Sequence, residues 1–266
     1  MSDYPLVSVL IVHYNRPHIL EKALQSFKDH CSYPNLEFVI TDDNSKPEVI
    51  EEIKKLPFDK YVFAEKNGGI GANANKGIKA CSGKYILQIQ DDHLVMPGFN
   101  DYLQHGVTVL ESNKKVGFLR YIVGRHFKVK HAEKIDATEY YVVPKAIWKN
   151  GERGFFQYSD LPHLKPADIH ERIGYYLENK PMAYTENEFN IRFLRTKGVQ
   201  IGFVKGYENI FDTYEAESYR ADDLQKRNKK TLKNALKNLL KRRVGIIRLT
   251  RFYYWVMKYD YKNRRL

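Results

Sequence analysis

Two adjacent carboxylates and a histidine, Asp91-Asp92-His93, are the side chains of this sequence best suited to chemistry. They follow the apolar, β-rich run Tyr85–Ile89, so the sequence predicts a buried strand that ends at two acids. In an open α/β sheet the ligand crevice lies outside the carboxyl ends of the strands, where such acids would meet a bound phosphate or metal ion. The alternative is a turn that carries two solvated aspartates.

Four predicted strands alternate with helices in the first part of the chain. The strands are the apolar runs Leu6–Tyr14, Leu36–Thr41, Lys60–Ala64 and Tyr85–Ile89. Helices are predicted at about 18–30, from the capping-box pattern Ser45–Glu48 to about Leu56, and at 71–81. This alternation requires right-handed crossovers and a parallel sheet with helices on both faces. We therefore expect a Rossmann-like half that ends near residue 112.

The pattern after residue 112 is less regular and completes the predicted body. Its predicted elements are β-type segments within 116–143, helices headed by the capping-box patterns Ala167–Glu171 and Thr185–Glu188, and a last strand at 199–204. The expected fold class is α/β, with one domain at 1–219 and a basic helical tail at 220–266.

The formal net charge of +12 resides in the tail and not in the body. Residues 220–266 hold sixteen Lys or Arg against three acids, so residues 1–219 carry about −1. This distribution argues against nucleic-acid binding, which needs a basic surface on the body. Apolar residues at helical spacing beside a dense basic face favour a tail that lies on a membrane surface. The alternatives are a helical hairpin packed back on the body, and nucleic-acid binding by the same basic face.

The composition indicates a reduced, cytoplasmic protein. A chain of 266 residues with 43% hydrophobic content can bury a full core without staples. Its two cysteines, Cys31 and Cys81, fall at the ends of predicted helices and suggest no disulfide framework. The amino terminus runs straight into a strand pattern, and no apolar stretch reaches the roughly 18 residues of a membrane span. We expect a cytoplasmic protein whose tail lies at the inner face of the membrane.

Four strand-end segments together resemble the family 2 glycosyltransferases of the GT-A fold. The segments are Val7–Asn15 (VSVLIVHYN), Thr41–Ser45 (TDDNS), Asn67–Ile78 (NGGIGANANKGI) and Gln90–His93 (QDDH). They span nearly the whole first hundred residues, and they follow the family's order and spacing. Each motif alone is weak, and the ordered set carries the resemblance.

The resemblance implies a nucleotide-binding half at 1–112 and an acceptor-binding half at 113–219. The residues implied to contact the nucleotide sugar are Val12, Tyr14, Asp43, Gly69, Gly71 and Asp91. A carboxylate at position 43 can accept a hydrogen bond from a base N–H, and glycines allow close backbone approach at a helix amino terminus. Turn chemistry before a helix is the alternative for Asp42 and Asp43, and a tight strand-to-helix turn is the alternative for the glycines.

The resemblance implies a different role for each of the paired acids. It implies that Asp91 faces the donor ribose and that Asp92 binds Mn²⁺ or Mg²⁺, hard cations that prefer oxygen ligands. The cation would neutralise charge on the departing nucleoside diphosphate. Asp212 lies in the region where family members often supply a late histidine ligand, and it is the implied substitute. Asp92 with phosphate and water alone is the alternative, and His93 is expected to be a neighbour rather than a ligand.

The family's catalytic base belongs to an acid pair that heads a late helix, with an arginine six residues beyond the base. The segment Thr185–Arg192 matches this pattern with Glu186 at the base position. Thr185 stands where the family usually has Glu, and Glu186 where it usually has Asp. Glu188 is the rival base, but as the third residue of a Thr185-capped helix it is expected to have a structural role.

The implied function is inverting transfer of a sugar from a UDP, GDP or dTDP sugar to a hydroxyl of a glycan or lipid-linked glycan. Asp160 and His163 lie where the family has acceptor loops, so they should touch the acceptor or fix the loop. A dinucleotide-dependent oxidoreductase is one alternative, because Gly69–Ala74 resembles a Gly-x-Gly-x-x-Ala fingerprint, although in the third strand–helix unit instead of the first. A non-catalytic, membrane-associated nucleotide-sugar-binding protein is the other.

Overall fold

The computed structural model describes residues 4–121, 133–134, 140–143, 157–204 and 210–213. The strands are β1 Val7–His13, β2 Leu36–Asp42, β3 Lys60–Phe63, β4 Tyr85–Gln90, β5 His93–Val95, β6 Val116–Arg120, β7 Glu133–Lys134, β8 Tyr140–Val143, β9 His163–Pro166, β10 Gln200–Val204 and β11 Phe211–Thr213. The helices are α1 Pro17–His30, α2 Pro47–Ile53, α3 Gly69–Ala80, α4 Phe99–Ser112, α5 Ile169–Ile173 and α6 Met182–Arg195.

A mostly parallel central sheet organises the described residues. Its strand order is β3-β2-β1-β4-β9-β6-β10-β8-β7, and β5 pairs with β11 in a separate two-stranded sheet. The four amino-terminal strands pair in parallel, with every residue of β1 buried between β2 and β4. A strand covered on both faces must be apolar along its whole length, which is why these strands read as continuous hydrophobic runs. The predicted α/β class and the Rossmann-like half are confirmed.

Helices cover both faces of the sheet and divide the core into two clusters. One cluster joins α1 and α4 to the sheet and includes Phe27 and Phe99, whose rings meet edge to face at 5.6 Å. The other joins α3, α5 and α6 and includes Phe118, Phe189 and Phe193. Helices on both faces leave the carboxyl ends of the strands as the open edge at which loops converge.

The sequence predicted only a loop around residues 158–164, and the structure places strand β9 there. β9 lies antiparallel between β4 and β6 and joins the two parts of the sheet. Its sequence, His-Leu-Lys-Pro, buries two polar side chains, His163 and Lys165. A strand without an apolar pattern, paired to residues far away in the chain, leaves no periodic signal.

Two predicted capping boxes are wrong. Helix α2 begins at Pro47 after Lys46, and the Ser45 hydroxyl donates to Asp42 instead of capping the helix. Helix α6 begins at Met182, three residues earlier than predicted, so Thr185 lies inside it and donates to the Leu177 carbonyl. In both places proline starts the helix or precedes it, because its fixed φ already suits that position.

Other predictions have mixed outcomes. The β-type segments of 116–143 contribute β6 and β8, and Gly174 ends α5 at a φ of 91°. The tail at 220–266 and its expected amphipathic helix lie outside the described residues. Among the residues that the structure describes, no helix is both long and apolar enough to span a membrane.

Candidate active site

The carboxyl ends of β1 and β2 are joined by a buried histidine–aspartate pair. His13 Nδ1 lies 2.8 Å from Asp42 Oδ2, and the Arg16 backbone N–H donates to His13 Nε2 at 3.0 Å. Since Nε2 accepts, the ring proton is on Nδ1 and is donated to the carboxylate. Ser45 donates its backbone N–H to the same carboxylate at 2.8 Å. The network fixes the loops after both strands.

Asp42 is an ionised structural anchor. Burial acts to raise the pKa of this carboxyl, but the hydrogen bonds from His13 and Ser45 outweigh burial and lower it. Its solvent exposure is 0%, so it has no open side for a ligand. For Asp42 the turn interpretation is therefore the one that the geometry supports.

Replacing Asp42 by asparagine should lower the free energy of unfolding at pH 7 by about 2 kcal/mol, because hydrogen bonds to a charged group are lost. The native pKa of Asp42 is below its unfolded value, so its stabilisation is present above the unfolded pKa and disappears as pH falls through the native pKa. The difference between variant and wild type should shrink below about pH 4. Urea unfolding at pH 7 and pH 3 measures it, with exposed Glu21→Gln as control; an equal difference at both pH values would contradict it.

Asp43 joins the end of β2 to the glycine-rich loop before α3. Its two carboxylate oxygens accept the backbone N–H groups of Gly68 at 2.9 Å and Gly69 at 2.8 Å, and Lys76 Nζ lies 3.9 Å away. The amino terminus of α3 therefore already faces a carboxylate. A base N–H would be a further donor to Asp43, since each carboxylate oxygen can accept more than one hydrogen bond.

Gly69 and Gly71 have different structural reasons for being glycine. Gly69 adopts a φ of 78°, which favours glycine. A Cβ on Gly71 would lie 2.1 Å from the Leu177 carbonyl oxygen and 3.2 Å from Thr185 Cγ2. Gly71 thus lets α3 pack against the loop that leads into α6.

Gly71→Ala should destabilise the protein by about 1–3 kcal/mol, because the added methyl group collides with backbone. An ordinary glycine-to-alanine change inside a helix would instead stabilise by roughly 0.5–1 kcal/mol. Denaturant unfolding gives the sign directly. A variant more stable than the wild type would show that the loop carrying Leu177 moves away at little cost.

Asp91 and Asp92, which follow β4, both contact Arg16, an arginine that was not among the predicted site residues. Arg16 contacts both carboxylates, hydrogen bonding to Asp91 and lying 3.3 Å from Asp92 Oδ2. Burial raises the pKa of Asp91 to about 6 against the opposing charge of Arg16. For Asp92 burial is outweighed by His93 and Arg16, and its pKa is lowered. The Asn15-Arg16-Pro17 turn after β1 was the available signal.

Several buried polar atoms at these acids fit a cation. Asp91 Oδ2, Asp92 Oδ1 and both ring nitrogens of His93 accept or donate no hydrogen bond within the described part of the chain. His93 Nδ1 lies 3.2 Å from Asp92 Oδ1, close but without hydrogen-bond geometry. Buried polar groups of this kind normally have partners. Two carboxylates can supply the oxygen ligands of a divalent cation whose shell phosphate and water complete.

Asp212 lies in β11, opposite Leu94 of β5, and its side chain is exposed. The pairing brings β11 beside the strand that follows the two acids. The described residues contain no cluster of three or more His, Cys, Asp or Glu side chains that would enclose a metal ion. Asp212 is thus near the acids in the fold without forming a three-ligand site with them.

A pocket beside the strand ends contains Glu186 and Asp160. It is lined by Ile70, Gly71, Ala74, Gln88, Tyr158, Asp160, Tyr176, Met182, Thr185 and Glu186. The Asp160 backbone N–H donates to Glu186 Oε1 at 3.2 Å, and Gln90 Nε2 donates to Asp160 Oδ2 at 3.0 Å. Gln90 immediately precedes the paired acids, so the two acidic groups of the site are joined through adjacent residues.

A buried lysine backs this pocket, and no sequence pattern indicated it. Lys165 Nζ donates to Gln88 Oε1 at 2.6 Å and lies 2.9 Å from His170 Nε2. Burial lowers the pKa of Lys165 to about 7. Because the lysine holds the amide oxygen, the Gln88 NH₂ group is left to donate toward Tyr176, whose hydroxyl contacts that of Tyr158.

Three other predicted residues are engaged in ways the sequence did not show. Val12 is 8% exposed, packs in the core, and its carbonyl accepts the Asp91 N–H at 3.3 Å. His163 is fully buried beside Phe118, so its side chain is not available to an acceptor. Glu188 is held by Arg192 at 2.6 and 2.7 Å. Tyr14, by contrast, is 47% exposed at the end of β1.

The sequence and the fold together identify the family of this protein. Residues 8–195, more than half of the chain, match the model described as glycosyl transferase family 2, and the chain belongs to this family. This membership explains why the four strand-end segments of the first hundred residues follow the family's order and spacing.

Curated relatives match over parts of their length. The putative glycosyltransferase EpsH of Bacillus subtilis is 33% identical over 100 residues, which are 36% of this chain and 29% of EpsH. A Campylobacter jejuni protein, GalNAc(5)-diNAcBac-PP-undecaprenol beta-1,3-glucosyltransferase, is 32% identical over 100 residues, 35% of this chain and 32% of that protein. The matched segments span about a third of each relative.

Solved structures share the fold. S. aureus TarS (1–349), in complex with UDP-GlcNAc, has a TM-score of 0.59 at 16% identity, covering 82% of this chain and 60% of TarS. The mannosyltransferase PcManGT of Pyrobaculum calidifontis, in complex with GDP-Man and Mn²⁺, has a TM-score of 0.57 at 16% identity, covering 85% and 61%. These similarities place the protein in the GT-A fold.

Proposed function

We propose that the protein is an inverting glycosyltransferase, which moves a sugar from a nucleoside-diphosphate sugar to a hydroxyl of a glycan or lipid-linked glycan. The observation that carries this proposal is that two acidic groups lie close together and are joined through Gln90. Asp91 and Asp92 follow β4, and Asp160 with Glu186 lines the adjoining pocket, linked by the 3.0 Å hydrogen bond from Gln90. Transfer of this kind needs one acidic group at the diphosphate and another at the attacking hydroxyl.

The donor would lie across the ends of β1, β2 and β4. Exposed Tyr14 offers a ring on which a base can stack, and Asp43 offers carboxylate oxygens to its N–H groups. Asp91 is buried and hydrogen bonded by Arg16, so its contact with the ribose would form when Arg16 moves toward the phosphates. Gly69 and Gly71 lie in the first turn of α3, so their role toward the donor is through the position of that helix amino terminus.

Asp92, whose Oδ1 accepts no hydrogen bond in the described structure, would hold Mn²⁺ or Mg²⁺ at the diphosphate. When bound, the cation would stabilise negative charge on the departing nucleoside diphosphate. Arg16 contributes a second positive charge at the same place and would pair with phosphate oxygens once it leaves the acids. Asp212 lies on β11, which pairs with the strand that follows the two acids, and could add an outer ligand.

Glu186 would take the proton of the acceptor hydroxyl as that oxygen attacks the anomeric carbon from the side opposite the leaving group. Glu188 is held by Arg192, which also binds the carbonyl groups of Ile173 at 2.9 Å and Tyr175 at 2.8 Å. This engagement favours Glu186 as the base and assigns Glu188 to holding the loop before α6.

The donor is tested by thermal unfolding with UDP-GlcNAc, GDP-Man, dTDP-glucose or NAD⁺, each with and without Mn²⁺. A ligand at 100 times its Kd stabilises by about 2.7 kcal/mol, so one nucleotide sugar with Mn²⁺ should raise Tm by several degrees. Stabilisation by NAD⁺ alone would instead support an oxidoreductase. Stabilisation without release of nucleoside diphosphate, in wild type and Glu186→Gln alike, would support a non-catalytic binder.

The acceptor and the location form a second part of the proposal. The basic tail, together with the undecaprenol-linked substrate in the name of the C. jejuni relative, supports a lipid-linked acceptor at the inner face of the membrane and a cytoplasmic body. Deleting residues 220–266 should abolish sedimentation with vesicles of phosphatidylglycerol and phosphatidylcholine. Unchanged sedimentation of the shortened protein would exclude the tail as the membrane contact.

A further inference from the structure

Asp160 and Glu186 are two acids from distant segments that meet in one pocket. Asp160 lies in the segment before β9, and Glu186 lies in the second turn of α6. The Asp160 backbone N–H donates to Glu186 Oε1 at 3.2 Å, and both acids line the same pocket. Two neighbouring carboxylates repel each other, which favours the protonated form of one of them. The geometry therefore favours a single proton held by the two acids together.

The surroundings of the pair favour one proton rather than none. Burial and the charge of Glu186 raise the pKa of Asp160 to about 7, against the opposing charge of Arg120. Arg120, at the end of β6, is buried and donates to the Gln157 carbonyl at 2.7 Å. With one proton bound, the pair carries one negative charge, which this guanidinium balances.

In the described part of the chain, the other titratable groups that line the pocket are two phenols, Tyr158 and Tyr176. Burial is the largest cause that raises the pKa of both, so both hydroxyl groups stay protonated at neutral pH. Gln90, which donates to Asp160 Oδ2 at 3.0 Å, is uncharged. Lys165 lies behind Gln88 and does not line the pocket. Among the groups beside the pair, the two carboxyl groups and Arg120 therefore control the proton.

We propose that Asp160 and Glu186 act as one proton acceptor, a carboxylate pair that receives a single proton from the acceptor hydroxyl entering the pocket beside them. This proposal rests on the glycosyl transfer proposed above and assigns Asp160 a role that a lone base would lack. Glu186 touches the hydroxyl, and Asp160 is a positioning residue that acts through Glu186.

The proposed step balances as follows in atoms and charge. The acceptor oxygen forms a bond to the anomeric carbon, and the bond from that carbon to the diphosphate oxygen breaks with its electron pair on the diphosphate. The pair first releases its own proton to solvent; the hydroxyl proton then passes to Glu186 and is shared with Asp160. A base whose conjugate acid releases its proton near the working pH is the most effective one, and the like charge of a second carboxylate shifts a carboxyl group toward that range.

Carboxyl ¹³C NMR of aspartate-labelled protein tests the pair without any substrate. The signal of Asp160, assigned by its absence in Asp160→Asn, should titrate near pH 7 in the wild type. In Glu186→Gln it should titrate at least about one pH unit lower, since the neighbouring negative charge is gone. The control Glu171→Gln, an exposed change, should leave the titration unaltered.

Titration of Asp160 in the ordinary acidic range in the wild type would overturn the proposal, and so would a titration that Glu186→Gln does not move. The wild-type result alone decides the matter if a variant fails to fold. Because no sugar donor is present, failure here differs from failure of the proposed function, which would appear as the absence of stabilisation by any nucleotide sugar.

The pH profile of nucleoside diphosphate release gives a second readout, using the nucleotide sugar that stabilises the wild type best. The pair accepts a proton only after losing its own, so wild-type kcat should rise with pH through about 7. In Asp160→Asn this rise should move to lower pH and the plateau should fall, with KM for the donor unchanged. A purely structural Asp160 would lower kcat equally at every pH.

Discussion

Replacing Glu186 by glutamine should lower the rate of sugar transfer by about 10²–10⁴-fold, the usual contribution of a positioned general base. Glutamine keeps the size of the side chain and its contact with the Asp160 backbone N–H, because its carbonyl oxygen can accept the same hydrogen bond. It cannot take a proton from a hydroxyl. The loss should therefore appear in kcat, while stabilisation by the nucleotide sugar persists.

The matched control is Glu188→Gln, two residues further along α6. Glu188 is held at both oxygens by Arg192, so this change should weaken a structural ion pair and leave the rate within a few-fold of the wild type. Rates are measured as release of nucleoside diphosphate at saturating donor. If Glu188→Gln lost activity and Glu186→Gln kept it, the assignment of the base would be reversed.

Asp160 lines the same pocket as Glu186 but acts on the hydroxyl only through it. The double variant Asp160→Asn with Glu186→Gln should therefore be as slow as Glu186→Gln alone. A double variant slower than Glu186→Gln would show that Asp160 also accepts a proton directly from the hydroxyl.

The amino-terminal part of the sheet was predictable because its signals are local. Strands β1, β2 and β4 are mostly apolar and mostly buried, and each ends next to polar residues. Parallel pairing of β1 with β2 and β4 then aligns His13 with Asp42 and Val12 with Gln90, so neighbouring strand ends must meet. The order of the motifs and the topology of the sheet therefore both indicate that these strand ends lie together.

The interior around Lys165 and the Asp160–Glu186 pocket was not predictable, because its contacts join residues far apart. Lys165 lies in a short strand without an apolar pattern, and its partners Gln88 and His170 come from other elements. The pairing of Asp160 with Glu186 likewise depends on how α6 packs. The helix start predicted from Thr185 was wrong for another reason. Helix α6 begins directly after Pro181, four residues before Thr185, and a capping-box pattern carries no information about that proline.

Asp92→Asn should lower Mn²⁺ affinity by at least about tenfold, since even groups that only orient a metal ligand contribute 10- to 100-fold. Asparagine keeps one carbonyl oxygen but loses the charge that a hard divalent cation favours. Binding of Mn²⁺ is measured by calorimetry and by its electron paramagnetic resonance signal, without sugar donor. Stabilisation by the nucleotide sugar should lose its Mn²⁺ dependence in the same variant.

Replacing Arg16 by glutamine should change the Mn²⁺ affinity of the same two acids in the opposite direction. The guanidinium contacts both acids, so it competes with a divalent cation for the same oxygens, and its removal should strengthen Mn²⁺ binding in the absence of nucleotide. Weaker Mn²⁺ binding in Arg16→Gln, with no change in Asp92→Asn, would make the acids a structural ion pair. Opposite shifts in the two variants would mean that Arg16 neutralises the acids until a cation and a diphosphate replace it, which would explain how two buried carboxylates are tolerated before the donor binds.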